Sequence, residues 1–263
     1  MFRKTFAWLL MSVLAAAAVS AQTVDELVEK SLKAQGGRDK IVAIKSLRMT
    51  GKMEMGGGMQ MPIKMEAINP DKMRFEGTLQ GMTLIQALNG SSGWQIMPFM
   101  GKTDPEPMSD DDVKQAKKQM ESFDMLTKYK EYGHTLELVG KEDLEGSPTY
   151  KLKLTRKDGD VSFLYLDAES FLLIKSAGKT KMQGQEIDSE TAIGDYKDVG
   201  NGVMMAHSME TKVKGQPGGM VMTLEKIELN PEIPTNDFVM PKVEKKPEQE
   251  KKPEPAPAKP PQR

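Results

Sequence analysis

The residues best suited to chemistry in this chain are soft donors. Met205, His207 and Met209 alternate in sequence, so on a strand they share one face. Met220 and Met222 follow across a Pro217-Gly218-Gly219 turn. Thioether and imidazole together suit Cu(I). His134 and His207 are the only histidines. Neither sits in a metalloprotease, hydrolase or phosphate-loop motif. Acidic residues are plentiful but alternate with lysine along polar strand faces, which gives paired-carboxylate catalysis no local support. There is no cysteine. That removes thiol catalysis, disulfides, zinc–thiolate sites and the lipid-bearing cysteine of a bacterial lipoprotein. A protein that is not an enzyme and needs no cofactor is expected.

A larger set of candidate residues is apolar. Leu47, Met49, Met53, Met55, Met59, Met61, Ile63, Met65 and Ala67 occupy odd positions. Arg48, Thr50, Lys52, Glu54, Gln60, Lys64 and Glu66 occupy the even ones. Alternation of this kind predicts a two-stranded ribbon with one wet and one apolar face, turned at Gly56-Gly57-Gly58. A rigid sheet core favours Val, Ile and Phe. Methionine is unbranched and polarizable and fits irregular or adaptable surfaces. The face reads as the wall of a pliable apolar cavity, or as an ordinary core that uses methionine. The same two readings apply to Met205, Met209 and Met222, with His207 at the rim. The alternative is a non-enzymatic Cu(I) module on Met205, His207 and Met209, or on Met53, Met55, Met59 and Met61.

The elements that would position these side chains follow from capping and turn signals. Thr23 with Glu26 is a capping box, followed by the stripe Val24, Leu27, Val28, Ser31, Leu32 and a stop at Gly36-Gly37. Asn69-Pro70 ends the methionine hairpin. The next strand carries Met73, Phe75, Gly77 and Leu79 on one face and Arg74, Glu76 and Thr78 on the other. A strand from Met82 to Leu88 leads to Asn89-Gly90, a strong hairpin signal, and then to Trp94-Gln95-Ile96-Met97. One long helix is predicted from Ser109 to Tyr132, with Val113, Ala116, Met120, Phe123 and Leu126 on one face. The Pro- and Gly-containing stretch Phe99–Met108 before it reads as a hinge. Strands follow at Tyr150–Leu154, Val161–Leu166, Phe171–Ile174, Ile187–Ile193, Val203–Val213 and Met220–Leu224, with an edge contribution near Phe238. The sum is an α+β protein, mainly β. It is expected to be an incomplete, highly curved antiparallel barrel of about 10–11 strands. Pro62 inside a strand argues for an edge or bulge and against full closure.

The ends of the chain have their own signals. Arg3 and Lys4, the apolar run Phe6–Val19 and the small residues Val19-Ser20-Ala21 read as a secretory signal peptide over residues 1–21, cut near Ala21. An exported, periplasmic protein without a lipid anchor is expected. Residues 241–263 are Pro, Lys, Glu and Ala with almost nothing apolar, and are expected to be a disordered tail. This tail is the segment through which envelope proteins could be contacted. The formal net charge of −1 gives no reason to expect nucleic acid as a partner.

The layout of residues 22–240 resembles the LolA/LolB-like family of bacterial lipoprotein carriers. The match rests on the first helix ending in Gly36-Gly37, on Lys45-Ser46-Leu47, on Asn69-Pro70 with Arg74-Phe75, and on Asn89-Gly90, Trp94 and Pro98. The resemblance implies a half-barrel lidded by helices over an apolar cavity. It also implies a periplasmic carrier or sensor of lipoprotein acyl chains or another hydrophobic ligand. The cavity set expected is Met49, Met53, Met55, Met61, Met65, Phe75, Trp94, Met120, Phe123, Met205, Met209 and Met222. Carriers of the family use a cavity arginine to switch the lid, and Arg74 is the candidate by position. Its alternation with Met73 and Phe75 places it on the opposite face, where it would be an ordinary strand arginine.

Overall fold

The computed structural model describes residues 22–182 and 185–242. The expected leader, and the tail from residue 243 on, lie outside the described residues. Two helices open the chain, α1 (Val24–Ala34) and α2 (Arg38–Val42). Then come β1 (Ser46–Met55), β2 (Met59–Ile68), β3 (Lys72–Leu79), β4 (Met82–Asn89), β5 (Ser92–Met97) and β6 (Lys102–Pro107). Helices α3 (Asp110–Ser122) and α4 (Met125–Lys128) interrupt the strands. The second series is β7 (Thr135–Leu144), β8 (Ser147–Thr155), β9 (Val161–Asp167), β10 (Leu173–Met182), β11 (Gln185–Asp198), β12 (Met204–Val213) and β13 (Met220–Leu229).

Among the described residues, thirteen strands form one antiparallel sheet in the order β6-β5-β4-β3-β2-β1-β13-β12-β11-β10-β9-β8-β7. The two series run outward from a central β1–β13 seam, and the outermost strands β6 and β7 do not pair, so the barrel is incomplete. Thirteen strands replace the expected ten or eleven because both edge strands escape the apolar alternation. Strand β6, read as a hinge loop, is Lys-Thr-Asp-Pro-Glu-Pro, a composition tolerated at a sheet edge. The register of β7 shifts between Leu138 and Gly140. Near Phe238 there is a short 3-10 turn in place of the expected strand. Phe171 lies at positive φ in the turn before β10, not in a strand, and its ring stacks on Tyr150.

The methionine hairpin forms as the alternation requires. Met49 pairs with Met65, Met53 with Met61 and Met55 with Met59, and Leu47, Met49, Met53, Met61, Ile63, Met65 and Ala67 are buried. Pro62 pairs with Lys52 on β1, while the β2–β3 ladder begins only at Ile63, so Pro62 sits at a local edge inside the sheet. At Gly51 the β1–β13 register slips, and a Cβ there would lie 2.1 Å from the Thr223 carbonyl oxygen. Only glycine allows this approach at the centre of the seam.

The single predicted helix is two. The Ser122 hydroxyl donates to the Gln119 carbonyl, a local bond that competes with helix continuation. The chain turns at Phe123 and Asp124, and α4 starts again at Met125. The break divides the core. Val113, Ala116 and Met120 of α3 pack on the inner face of β1–β4, with Phe123 partly buried against the same cluster. Met125 and Leu126 of α4 join Leu27, Val28 and Leu32 of α1 over Leu152, Leu154, Leu164 and Leu166. The helix α1 forms as expected, with both capping-box bonds made. It is docked where Gly36 (φ +109) meets Gly202 and where Met204 N–H donates to the Gln35 carbonyl.

Candidate functional site

The cluster under α3 reaches across the central strands to Leu224 and Ile227, and the other lies between α1, α4 and strands β8 and β9. A cavity of about 1700 Å³ is lined by residues of both. Its floor is Met49, Ile63 and Met65 from the first series and Met205, Met209, Met222, Leu224 and Ile227 from the second. Leu32 and Ile41 close one side, and the α3–α4 junction from Ser122 to Thr127 lies over it. Lys179, Glu186, Asp188, Lys212 and Lys214 line the mouth and are largely exposed. The mouth is charged but balanced: Lys179 pairs with Glu186, Lys214 with Asp188 and Lys212 with Glu210. Tyr196 is one of the polar groups of the wall. Its hydroxyl donates to the Leu173 carbonyl at 2.8 Å, and burial pushes its pKa up to about 12, so it stays a neutral phenol.

Methionines run across this surface in register. Met209 pairs with Met222, Met222 with Met53, and Met53 with Met61, on β12, β13, β1 and β2. The β12 end of the row lines the cavity and the β2 end lies in the core under α3.

Of the expected cavity set, Met49, Met65, Phe123, Met205, Met209 and Met222 line the cavity. Met53, Met55, Met61, Phe75 and Met120 lie on the same side of the sheet but belong to the packed cluster around α3. Trp94 does not face the cavity. It is paired with Ala87, which pairs with Arg74, which pairs with Glu66, and this row occupies the outer face. A C-terminal segment crosses that face and buries it. The Trp94 indole donates to the Phe238 carbonyl at 2.9 Å, and Phe238 is 0% exposed.

Arg74 lies on the same outer face and does not line the cavity. Its Nε donates to Glu76 at 2.7 Å, its guanidinium donates to the Asp237 carbonyl at 2.8 Å, and it stacks over Trp94. Arg48 does similar work, donating to the Glu232 carbonyl at 3.0 Å and to the buried carboxylate of Glu66 at 2.7 Å. Burial opposes ionisation of Glu66, but Arg48 and Lys64 outweigh it and hold the pKa below the usual carboxylate value.

His207 is buried, and its Nδ1 lies 3.0 Å from the Met205 carbonyl oxygen. It does not line the cavity with Met205 and Met209, so the three residues do not present a common donor surface there.

A polar clasp between the two wings gave no sequence signal. The outward side of α3 reaches the β8–β9 turn: Lys114 and Lys118 lie 3.0 and 2.8 Å from Asp158, and Lys118 also meets Asp160. Glu121 accepts from Arg156 and lies 3.2 Å from His134 Nε2. His134 Nδ1 accepts from the Lys157 N–H, which places the proton of the neutral ring on Nε2, toward Glu121. The hydrogen bond from Lys118, aided by Lys114, holds the Asp158 pKa far below its ordinary 3.8. A depressed carboxylate pKa contributes stability above the unfolded value and loses it as pH falls through the folded one. The Asp158 ion pairs are therefore complete at neutral pH, and their contribution falls off only below about pH 4. Stopped-flow release of a bound fatty-acid probe reports on these ion pairs. Asp158→Asn should speed release severalfold at pH 7.

No family profile and no curated protein matches the sequence. Solved structures do match the fold. A LolA superfamily protein from Nitrosomonas europaea aligns with a TM-score of 0.55 over 83% of this chain and 98% of its own, at 13% identity. A putative outer membrane lipoprotein-sorting protein domain from Vibrio parahaemolyticus aligns at 0.51, covering 80% and 97%, at 12% identity. A DUF1329 family protein from Desulfovibrio piger aligns at 0.57, covering 83% and 98%, at 10% identity. The likeness is one of fold: the curved, open antiparallel sheet of this chain aligns with these structures over nearly their whole length.

Proposed function

We propose that this protein is a non-enzymatic carrier or sensor that holds lipoprotein acyl chains or another hydrophobic ligand in the cavity between the sheet and the α3–α4 junction. The observation that carries this reading is the cavity itself, about 1700 Å³ with a methionine, leucine and isoleucine floor and a charged mouth. Pockets that bury a small ligand are commonly about 300–1,000 Å³. A long acyl chain gains about 0.8 kcal/mol per buried methylene, or around 10 kcal/mol before association costs. An apolar hollow therefore supplies useful affinity without a dedicated polar anchor. The balanced mouth favours no strongly charged head group. The leader-like residues 1–21 support a periplasmic setting, and the Pro-, Lys- and Glu-rich composition of residues 241–263 is the reason for proposing that segment as a contact for envelope proteins. The name of the Vibrio neighbour, a lipoprotein-sorting domain, agrees with this reading.

Phe123 tests it. This residue joins the α3 packing to the cavity roof at the point where the helix breaks. Phe123→Asp places a carboxylate where the roof is apolar, which is costly unless the group reaches water. The α3–α4 junction should swing outward and the sheet should stay folded. Release of a fluorescent fatty-acid probe should accelerate about tenfold, with little change in far-ultraviolet circular dichroism. Unchanged release would show that the junction does not roof the ligand. Global unfolding would show that it is core.

A further inference from the structure

Resting on the carrier reading of the same cavity, we infer that Met205, Met209 and Met222 are an oxidation site whose conversion to sulfoxide expels the hydrophobic ligand. Their thioethers line the cavity and are only partly buried, and the charged mouth opens the cavity to water. Met209 and Met222 are ladder neighbours and head the row that continues into the core through Met53 and Met61, both buried. Accessibility along one row of identical side chains therefore falls from the cavity inward. A β face could be built from Val or Ile, which suit the pleat better. Methionine alone among the apolar residues adds a reversible chemistry.

The reaction needs a two-electron oxygen donor, such as hydrogen peroxide. The sulfur lone pair attacks one peroxide oxygen, the O–O bond breaks, an S–O bond forms and water leaves. Sulfur is oxidised by two electrons and peroxide is reduced. The product is a polar, hydrogen-bond-accepting group set in a floor of methionine, leucine and isoleucine side chains. Covering it with an acyl chain then carries the cost of burying an unsatisfied polar group. A filled cavity excludes peroxide, so the ligand and the oxidant compete for the same surface.

Exposed methionines provide an internal reference. Met59, Met82 and Met100 are exposed and lie outside the cavity lining. The test treats the full-length protein with graded hydrogen peroxide, with and without saturating palmitate. Sulfoxides are mapped by peptide mass spectrometry, and affinity is followed with a fluorescent fatty-acid probe. Expected are sulfoxides at Met205, Met209 and Met222 while Met53 and Met61 remain thioethers, and protection of the three by palmitate. Probe affinity should fall about tenfold or more, recovering with methionine sulfoxide reductase. The Met59→Leu/Met82→Leu/Met100→Leu variant should lose affinity in the same way. The Met205→Leu/Met209→Leu/Met222→Leu variant, compared with its own untreated state, should not.

Thioethers persisting at the three positions after Met100 is fully oxidised would overturn the inference. So would a loss of affinity that survives in the cavity variant. An untreated protein that never binds the probe would sink the carrier reading itself. One that binds equally well with the three sulfoxides in place would overturn only the oxidation switch.

Discussion

Met209→Asp should cost at least about a hundredfold in affinity for a fatty-acid probe while leaving the protein folded, and Met61→Asp should unfold it. The two residues stand at opposite ends of one methionine row, Met209–Met222–Met53–Met61. Met209 lines the open cavity. A carboxylate there is hydrated while the cavity is empty and must be covered or protonated when an acyl chain enters. An unpaired buried charge costs about 3–5 kcal/mol, which is two to three decades in the binding constant. Met61 is 4% exposed in the cluster beneath α3. A carboxylate there has no water in any folded state, so the same penalty falls on folding itself. Urea denaturation and probe titration of both variants would check the contrast. Equal destabilisation by the two would mean that the cavity is closed core.

Phe238→Ala should give the largest loss of stability from a change on the outer face, about 3–5 kcal/mol. For a domain of this size that corresponds to a fall in Tm of about 10 °C. Phe238 is fully buried by its own segment and the outer face of the first wing. Backbone carbonyls of that segment accept from Arg48, Arg74 and Trp94. Removing the ring leaves a void beside these donors and weakens their hold. Ligand affinity should change less than about twofold, because the cavity lies on the opposite face of the sheet. Calorimetry with a parallel probe titration separates the two effects. A matching fall in affinity would mean that the strap controls the curvature of the sheet and hence the cavity.

Local patterns carried most of the fold. The methionine hairpin, the capping box at Thr23 and the turn at Asn89-Gly90 all depend on neighbours within a few residues, and all form. The misplaced residues share a long-range cause. Trp94 is apolar, and an apolar residue on a strand is read as facing the core. The register instead puts it on the outer face, where a segment 144 residues further along covers it. Arg74 alternates with Met73 and Phe75 and lies on the outer face, yet the same strap makes it half-buried and paired. The break at Ser122–Asp124 interrupts no apolar spacing, so periodicity ran the helix through it. The clasp joins α3 to a turn some forty residues away, and lysines on a helix look the same whether they meet water or an aspartate.

The hollow of the sheet is proposed to hold a hydrophobic molecule. Native mass spectrometry of the full-length protein purified gently from its own host tests this most directly. A bound species of lipid mass, released by organic solvent and lost from the Met209→Asp variant, is the predicted result. A protein that always flies at its bare mass, and that binds no fatty-acid probe when offered one, would contradict it.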